Sequence, residues 1–331
     1  MSTSPLRAAM VPVMRQMRAY FAPVERASEA PTIFDPGLCG EFALDAPPAP
    51  WLDVGWVDNF TRWYETPRAV VGAGAKALPA AQYRGPLEAR VECEFRQWGK
   101  LQMALAGGSE HMNVLAPAGG NTSPVPSGGT PAAAIAVLAG STASELMFGP
   151  GFEGALEPGC WIAVDVDYQQ QVGYVGSGVA AAYVSSAAAV KQDPNYVRRV
   201  TFNVGRVVEV TATSAVLAQP LLGGVPAAGA SAQVVVAFVD REGGSFFQEW
   251  SALFVAEGES GGRVCFYYPR LSATRDSSAK GSREALISIA KPLSAISLHG
   301  SFTALPFTDR NDGQTVLCYR SYFPAGMAAA Y

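Results

Sequence analysis

Residues 246–268 read FFQEWSALFVAEGESGGRVCFYY, and this stretch decides the fold class. It contains two apolar runs, Phe246 to Ala256 and Arg263 to Tyr268, separated by the turn residues Glu259 to Gly262. Runs rich in Val, Phe, Tyr and Trp on either side of a glycine-containing turn predict a β-hairpin. The stretch therefore predicts two paired strands with no helix between them.

Other parts of the chain show the period-two alternation that is typical of half-buried strands. Val91, Cys93 and Phe95, for example, alternate with acidic and basic residues. Further strands are predicted at 162–168, 200–204, 207–213, 233–239, 295–304 and 315–323. Because no helical pattern lies between most of these strands, the sequence predicts an all-β fold, either a sandwich or a barrel.

The first 50 residues are predicted to lie outside this β core. Apolar residues at helical spacing predict a short amphipathic helix over residues 5–21, and the Pro-punctuated stretch 31–50 predicts an extended arm. The β domain would then span residues 51–331. Two stretches rich in Gly, Ala and Ser and poor in charge, 107–159 and 169–189, are predicted to be long loop insertions.

The sequence contains few charged residues to cover the surface of a single subunit. Charged residues make up 16% of the 331 residues, against about 25% in a typical soluble domain, while apolar residues make up 49%. This shortage predicts that part of the surface is buried between identical subunits. The alternative interpretation is a compositional bias toward small residues, since the chain has 34 Gly and 24 Pro.

The charge pattern and the cysteines restrict the partners and the compartment. The net charge is −4 and no cluster of four or more basic residues occurs, which argues against a surface that reads nucleic acid. The five cysteines stand singly, without CxxC spacing, and predict a reducing compartment. Arginines interrupt the N-terminal apolar stretch and prolines interrupt residues 112–142, so neither a signal peptide nor a membrane-spanning helix is expected.

Two glycine motifs resemble catalytic or cofactor-binding signatures and are interpreted as turns. Residues 72–77 fit a loose dinucleotide-binding pattern, but Pro79 leaves no room for the helix that this pattern requires. Gly258 to Gly262 fits GxSxG, with Asp276 and His299 following in the order of a hydrolase triad. This motif lies between two predicted strands, where a nucleophile elbow needs a strand and a helix.

No metal, cofactor or catalytic site is predicted. Asp165 and Asp167 point to one face of a predicted strand and could hold a divalent metal ion, but no third ligand lies nearby in sequence. The segment from Asp309 to Gly313 is a turn signal between strands. With two histidines in the chain, multi-histidine metal sites are excluded.

An aromatic cluster leaves two interpretations open. Its members are Trp51, Trp56, Phe60, Trp63, Tyr64 and Trp98. Such residues can form a stacking platform for sugars or bases. They are equally at home in a core or a subunit interface, and this second interpretation is favoured here.

Several phrases resemble the major tail proteins that form the tail tube of bacteriophages. WLDVGWVDNF (51–60) is similar to a phrase near the start of such proteins, and LEARVECEFRQWGKL (87–101) to the strand that follows. VCFYYPRL (264–271), SLHGSFTALP (297–306) and YRSYF (319–323) resemble the closing strands. The resemblance covers about half of the chain, and the insertions 107–159 and 169–189 have no matched counterpart.

This resemblance implies a structural protein, not an enzyme, that self-assembles into stacked hexameric rings with a continuous inner β-barrel. DNA would pass through without specific binding, and the protein would belong to the virion tail, assembled in the host cytoplasm. The implied partners are further copies of the chain and the tail terminator, tape-measure and baseplate or tip proteins, with no membrane.

Candidate site residues follow from this expectation. Because a DNA conduit must not bind its cargo, Asp165 and Asp167 are candidates to face the lumen. The candidate subunit-interface residues are Trp56, Phe60, Trp98, Ile135, Val137, Tyr174 and Tyr183. The alternatives are a carbohydrate-binding β-sandwich module, another virion shell, decoration or baseplate component, and an unrecognised enzyme.

Overall fold

The computed structural model describes residues 14–24, 28–37, 42–48, 50–73, 78–108, 110–119, 132–152, 154–165, 201–241, 249–259, 261–274 and 297–324. These residues form mainly β-strands and one short helix, α1 (Lys100–Gly107). The strands are β1 (Met14–Pro23), β2 (Leu52–Glu65), β3 (Arg68–Ala73), β4 (Leu78–Arg84), β5 (Glu88–Phe95), β6 (Glu110–Leu115), β7 (Ile135–Ala136), β8 (Glu145–Met147), β9 (Trp161–Asp165), β10 (Val204–Val210), β11 (Ser214–Leu217), β12 (Ser231–Arg241), β13 (Glu249–Gly258), β14 (Arg263–Ala273), β15 (Leu298–Ala304), β16 (Phe307–Thr308), β17 (Thr315–Val316) and β18 (Tyr319–Phe323).

Six strands close into an antiparallel barrel, which confirms the predicted all-β class and gives it a definite form. The ring runs β13-β1-β2-β5-β15-β14, and β14 pairs back to β13. The predicted hairpin of residues 246–268 supplies this closing pair, with Phe254 opposite Phe266. Strand β18 adds to β14 outside the ring, next to the place where β15 pairs with the other end of β14.

The interior of the barrel is filled by side chains. Its inner face carries large aromatic residues, among them Phe21, Phe95, Phe254 and Phe302, which pack in one apolar cluster. Helix α1 adds Leu101, Ala104 and Leu105 to the same cluster, so it closes one end of the barrel. The helix is followed by its C-cap residue Gly108, where an added Cβ would lie 2.8 Å from the Cβ of Ala273.

The outer face of the barrel is covered by the segment between β1 and β2. Phe34, Phe42 and Trp51 from this segment pack against Tyr20 and Tyr267 on the outer side of β1 and β14. The Tyr20 hydroxyl donates to the carbonyl of Leu44, and the Tyr267 hydroxyl to that of Thr32. The described part of the predicted arm therefore packs on its own chain, and it includes a 3-10 turn at 36–37 and a turn at 44–45.

The N-terminal helix prediction is wrong for residues 14–21. Met14–Pro23 is a strand, β1, which pairs with β13 on one side and β2 on the other and so belongs to the β core. Both faces of β1 are buried, since Phe21 points inward and Tyr20 outward. A strand buried on both faces has no period-two alternation of apolar and polar residues, so its apolar residues also fit a helical spacing. Residues 5–13 of the predicted helix lie outside the described residues.

A second, open sheet has the order β6-β12-β9-β10-β11-β8, with β7 beside β12. One of its faces packs on an apolar cluster that includes Leu146, Phe148, Phe152, Ile162 and Leu217. Much of this sheet comes from residues 107–159, which were predicted to be a loop insertion. That stretch thus contributes strands β6, β7 and β8 and is not a plain insertion.

Three further predictions need adjustment. The strands predicted at 200–204 and 207–213 are one strand, β10, since 201–203 are irregular and the chain turns at 211–213. The strand predicted at 315–323 is divided into β17 and β18. Helix α1 was not predicted, although its sequence KLQMALAG consists of good helix formers up to a terminal glycine. The insertion 169–189 lies outside the described residues.

Candidate interaction surfaces

Trp56 lies beside a charged cavity on the outer face of the barrel. The cavity has a volume of about 360 Å³, and Arg18, Asp45, Glu257 and Arg263 also line it. The Arg18 guanidinium lies 5.6 Å from the centre of the Trp56 ring. Trp56 is thus partly covered by its own chain, and its predicted role in a subunit interface stays a prediction.

The charges in this cavity satisfy one another. Arg18 donates to Asp53 and, at 2.6 Å, to Asp45, and Arg263 lies 3.2 Å from Glu257. The bond to Asp53 raises the pKa of Arg18 above its ordinary value, against the opposing effect of burial. Asp45 belongs to the segment that covers the barrel, so its ion pair with Arg18 helps to hold that segment in place.

Phe60 belongs to the barrel, not to an outer surface. Its ring centre lies 4.7 Å from that of Phe254 and 5.6 Å from that of Phe266. The side chain packs against the barrel core and is partly buried. Its packing within the chain gives no support to the predicted interface role.

Ile135 and Val137 also contribute to the fold of the chain itself. Ile135 lies in β7 opposite Ala232, and Val137 bridges to Phe148. Both side chains are partly buried against the core of the open sheet. An acidic residue at either position is therefore expected to destabilise the subunit, besides any effect on assembly.

Trp98 is the predicted interface residue that the structure leaves most accessible, with 45% of its surface exposed. It lies in the turn between β5 and α1. Of the other aromatic residues in the predicted cluster, Trp51 is buried, whereas Trp63 and Tyr64 are exposed at the end of β2. The cluster is thus divided between core and surface. Tyr174 and Tyr183 lie outside the described residues.

Asp165 is buried, with 6% of its surface exposed, which does not agree with a lumen-facing position in the single subunit. It ends β9, opposite Ser231. Its carboxylate acts on the buried amine of Lys100, whose pKa is lowered well below the ordinary value by burial and raised in part by Asp165. Asp167 lies outside the described residues.

This buried pair belongs to a polar layer between α1 and the open sheet. The Lys100 amine donates to the carbonyl of Thr201, which also accepts a hydrogen bond from the Asn113 side chain. The same amine lies 5.3 Å from the centre of the Phe202 ring. We refer to Lys100, Asn113, Asp165 and Thr201 as the polar layer.

Sequence reasoning missed two exposed aromatic residues on the open sheet. Trp161 and Phe238 expose 50% and 46% of their surfaces. Trp161 precedes the buried run Ile162 to Asp165, and its partner residues on the neighbouring strands are Val235 and Arg206. The sequence did carry a signal for Trp161. It directly precedes the alternation that begins at Ile162, and extending that alternation by one residue places it on the outward face.

The described residues of the second motif confirm its interpretation as a turn. Gly258 ends β13, and Gly261, at φ +81°, lies just before β14. Of residues 72–77, Gly72 and Ala73 belong to β3, and 74–77 lie outside the described residues. Asp309 to Gly313 joins β16 to β17. Ser260 and Asp276 lie outside the described residues. The described residues include no group of three or more His, Cys, Asp or Glu side chains placed to hold a metal ion.

Within the described ranges, no helix has the length and apolar character needed to cross a membrane. Comparison of the sequence with protein-family models and with curated proteins gave no match.

Proposed function

We propose that this protein is a structural protein that self-assembles into stacked rings and forms the tail tube of a phage or phage-tail-like particle. The observation that carries the proposal is the number of large aromatic side chains exposed on a chain with 16% charged residues. They are Trp63, Tyr64, Trp98, Trp161, Phe238 and Tyr322. Aromatic side chains are enriched in the buried centres of interfaces, where charged residues are depleted.

The sheet edges support this proposal. The six barrel strands use both of their edges within the chain, but β18 ends its sheet, and no described strand pairs with its outer edge. The open sheet ends at β6 and β8. Exposed edges promote pairing with another chain unless something covers them. A neighbouring copy would satisfy these edges and cover the aromatic residues near them.

The distribution of these features favours an extended assembly over a simple pair. Exposed aromatic residues lie on the barrel, at Trp63 and Tyr322, and on the open sheet, at Trp161 and Phe238. Contacts between unlike surfaces produce closed rings or open-ended stacks. In the proposed tube, DNA passes through the assembled rings without specific binding. The tail terminator, tape-measure and baseplate or tip proteins would be the other partners, in a virion tail assembled in the host cytoplasm.

Negative-stain electron microscopy of the purified chain tests the proposal. We expect filaments of uniform width, built from rings. Closed rings that do not stack would favour another shell, decoration or baseplate component. A chain that stays monomeric at every protein concentration would contradict self-assembly.

The exposed tryptophans also favour a second candidate, a carbohydrate-binding β-sandwich module. Trp63, Trp98 and Trp161 each expose about half of their surface, as a sugar-stacking residue would. In Trp63, however, the guanidinium of Arg90 already lies 5.9 Å from the ring centre. This candidate requires a monomer whose tryptophan fluorescence is quenched by an added oligosaccharide, which the tube does not.

A further inference from the structure

Two arginines lie near one aromatic side chain, Phe266, towards the end of the barrel away from α1. The Arg62 guanidinium lies 4.6 Å from the centre of the Phe266 ring and donates through Nε to the hydroxyl of Tyr268. Arg320 stands directly opposite Phe266 in the pairing of β14 with β18, and so shares its face of the sheet. Both arginines act electrostatically on the thiol of Cys318. We call Arg62, Arg320 and Phe266 the arginine site.

These two arginines differ from four others of the chain in having no described carboxylate partner. Arg18, Arg96, Arg263 and Arg270 each form an ion pair with an aspartate or glutamate. For Arg62 and Arg320, the described part of the chain contains no such ion pair. The side chains facing Arg62 across β2 and β5 are those of Val91 and its neighbour Ala89, which carry no charge.

The polar neighbours of Arg62 do not offset its charge. Burial raises the pKa of the Tyr268 hydroxyl and that of the Cys318 thiol, so both are neutral near neutral pH. Arg62 is half-buried and Arg320 is exposed, and neither has a described counter-charge. Placing cations beside apolar side chains is unfavourable unless an anion accompanies them.

The guanidinium of Arg62 also has donors to spare. Arginine carries five N–H donors in a planar fork, and the described contacts use Nε for Tyr268. Stacking on Phe266 restrains the plane of the fork, which lowers the entropy lost when a ligand binds. We propose that the arginine site binds the carboxylate of an acidic side chain from a second copy of this chain.

A carboxylate fits this site better than a phosphate. The guanidinium fork matches the two oxygens of a carboxylate. Phosphate sites usually add backbone N–H groups from a helix N-terminus or a glycine-rich loop. Here the residues come from strands β2, β14 and β18, and none comes from a helix N-terminus or a glycine-rich loop. Phe60 and Phe266 border the site, and an aromatic border favours the more weakly hydrated carboxylate.

The choice of a second copy rests on the proposed self-assembly. Arg320 lies on β18, the strand whose outer edge has no described partner strand, so a copy that docks there would arrive beside the site. The chain has more acidic than basic residues, 28 against 24, and so has carboxylates to supply. Opposite charges would set the register of such a contact.

The binding step is tested on dissociated wild-type chain by NMR of the arginine Nε–H groups. Sodium 3-phenylpropionate is the probe, 3-phenylpropionamide the neutral control and phenylphosphonate the competing anion. We expect a saturable shift of the Arg62 resonance, with a dissociation constant on the order of 1–10 mM. An equal response to the amide, or no saturable response, overturns the site. Phenylphosphonate binding about tenfold tighter overturns the carboxylate assignment.

Variants separate the site from a general charge effect. Arg62→Lys keeps the charge but not the fork, and we expect about tenfold weaker binding of the probe. Arg310→Met, in the exposed turn between β16 and β17, is the matched control and should bind the probe like the wild type. If Arg62→Lys binds the probe as well as the wild type does, the bidentate contact is wrong.

Assembly then tests the occupant. In negative stain, Arg62→Lys and Arg320→Met should form at least tenfold fewer filaments than Arg310→Met at equal protein concentration. Normal assembly of both variants, with probe binding lost, would show that the carboxylate does not come from a second copy. Failure of the wild type to assemble would contradict the proposed function, whereas the probe titration would still decide whether the site exists.

Discussion

The barrel and the open sheet differ in how they satisfy their edge strands and bury their apolar side chains. The barrel closes its ring of hydrogen bonds and fills it with aromatic side chains such as Phe21, Phe254 and Phe302. The open sheet keeps two free ends and packs a mostly aliphatic core on one face. Closure removes edge strands, whereas an open sheet leaves them available. The barrel is thus the self-sufficient region, and the open sheet depends more on its neighbours.

The polar layer shows what joins the two regions. The ring of Phe202, next to the open sheet, lies 5.9 Å from that of Trp250 in the barrel. Beside this apolar contact, Lys100 from α1 donates to the carbonyl of Thr201. A buried cation in such a contact makes the junction specific, because a shift of either region would leave the charge without its partners.

The largest expected effect is in the barrel. Phe302→Ala should lower the free energy of unfolding by about 3–5 kcal/mol, because a closed ring cannot collapse around the cavity. Phe152→Ala, in the core of the open sheet, is the matched comparison and should cost less, since Phe152 lies outside the strands and its surroundings can relax. Urea unfolding measures both. A larger loss for Phe152→Ala would reverse the comparison between the two regions.

The second largest loss in the free energy of unfolding is expected from variants of the polar layer. Lys100→Met leaves the Asp165 carboxylate buried without the cation, and Asp165→Asn does the converse, so each should cost about 3 kcal/mol. The double variant should cost clearly less than the two single losses added together, because it removes both buried charges. Urea unfolding of the four proteins completes the cycle. Strict additivity would mean that the two charges do not interact.

The same lysine makes stability depend on pH. The folded pKa of Lys100 lies below its ordinary value of 10.5 because of burial, so within that window the unfolded chain holds a proton that the folded chain does not. The stability of the wild type relative to Lys100→Met should therefore rise with pH through the window and level off above it. The raised pKa values of Tyr267 and Tyr268 act in both proteins and cancel. A flat difference between the unfolding curves would contradict the lowered pKa.

The barrel was the more predictable region, and the reason is physical. Strand β5 has one face inward and one outward, so its alternation could be read directly from Val91, Cys93 and Phe95. Strand β1 is buried on both faces, and its partner β13 lies more than 200 residues away, as in the pair of Phe21 with Ala252. Local periodicity does not report such a pairing. Helix α1, with eight residues, is shorter than the window in which helical periodicity is recognised.

The candidate sites were less predictable for a related reason. Arg62 and Tyr268 meet although they are 206 residues apart in sequence. Asp165 alternates in sequence with apolar residues and was expected to face outward, but it is buried and acts on the amine of Lys100 from α1. The polar layer and the arginine site both depend on contacts between distant segments.

A bulge in the barrel gives a smaller effect. Gly55 adopts φ +85° where the pairing of β1 with β2 shifts register, and an added Cβ would lie 3.1 Å from the Gln97 side chain. Gly55→Ala should therefore cost about 1–2 kcal/mol by thermal or urea unfolding. Gly151→Ala, at φ +93° in an exposed turn with no atom near the added Cβ, isolates the conformational part of that cost. Equal losses in stability for the two variants would mean that the Gln97 side chain moves away from the added Cβ at no cost.

The smallest expected effect on stability is paired with a large effect on assembly. Trp161→Ser and Phe238→Ser alter half-exposed side chains of the open sheet, so together they should change the free energy of unfolding by about 0.5 kcal/mol or less. If the open sheet relies on neighbouring subunits, these residues are buried in the assembly, and their loss should greatly reduce filament formation in negative stain. The matched control is Val225→Ser, which is exposed in a turn of the same region. Filaments formed as readily by the double variant as by this control would place the subunit contacts elsewhere, on the barrel, and would make the open sheet the outer surface of the particle.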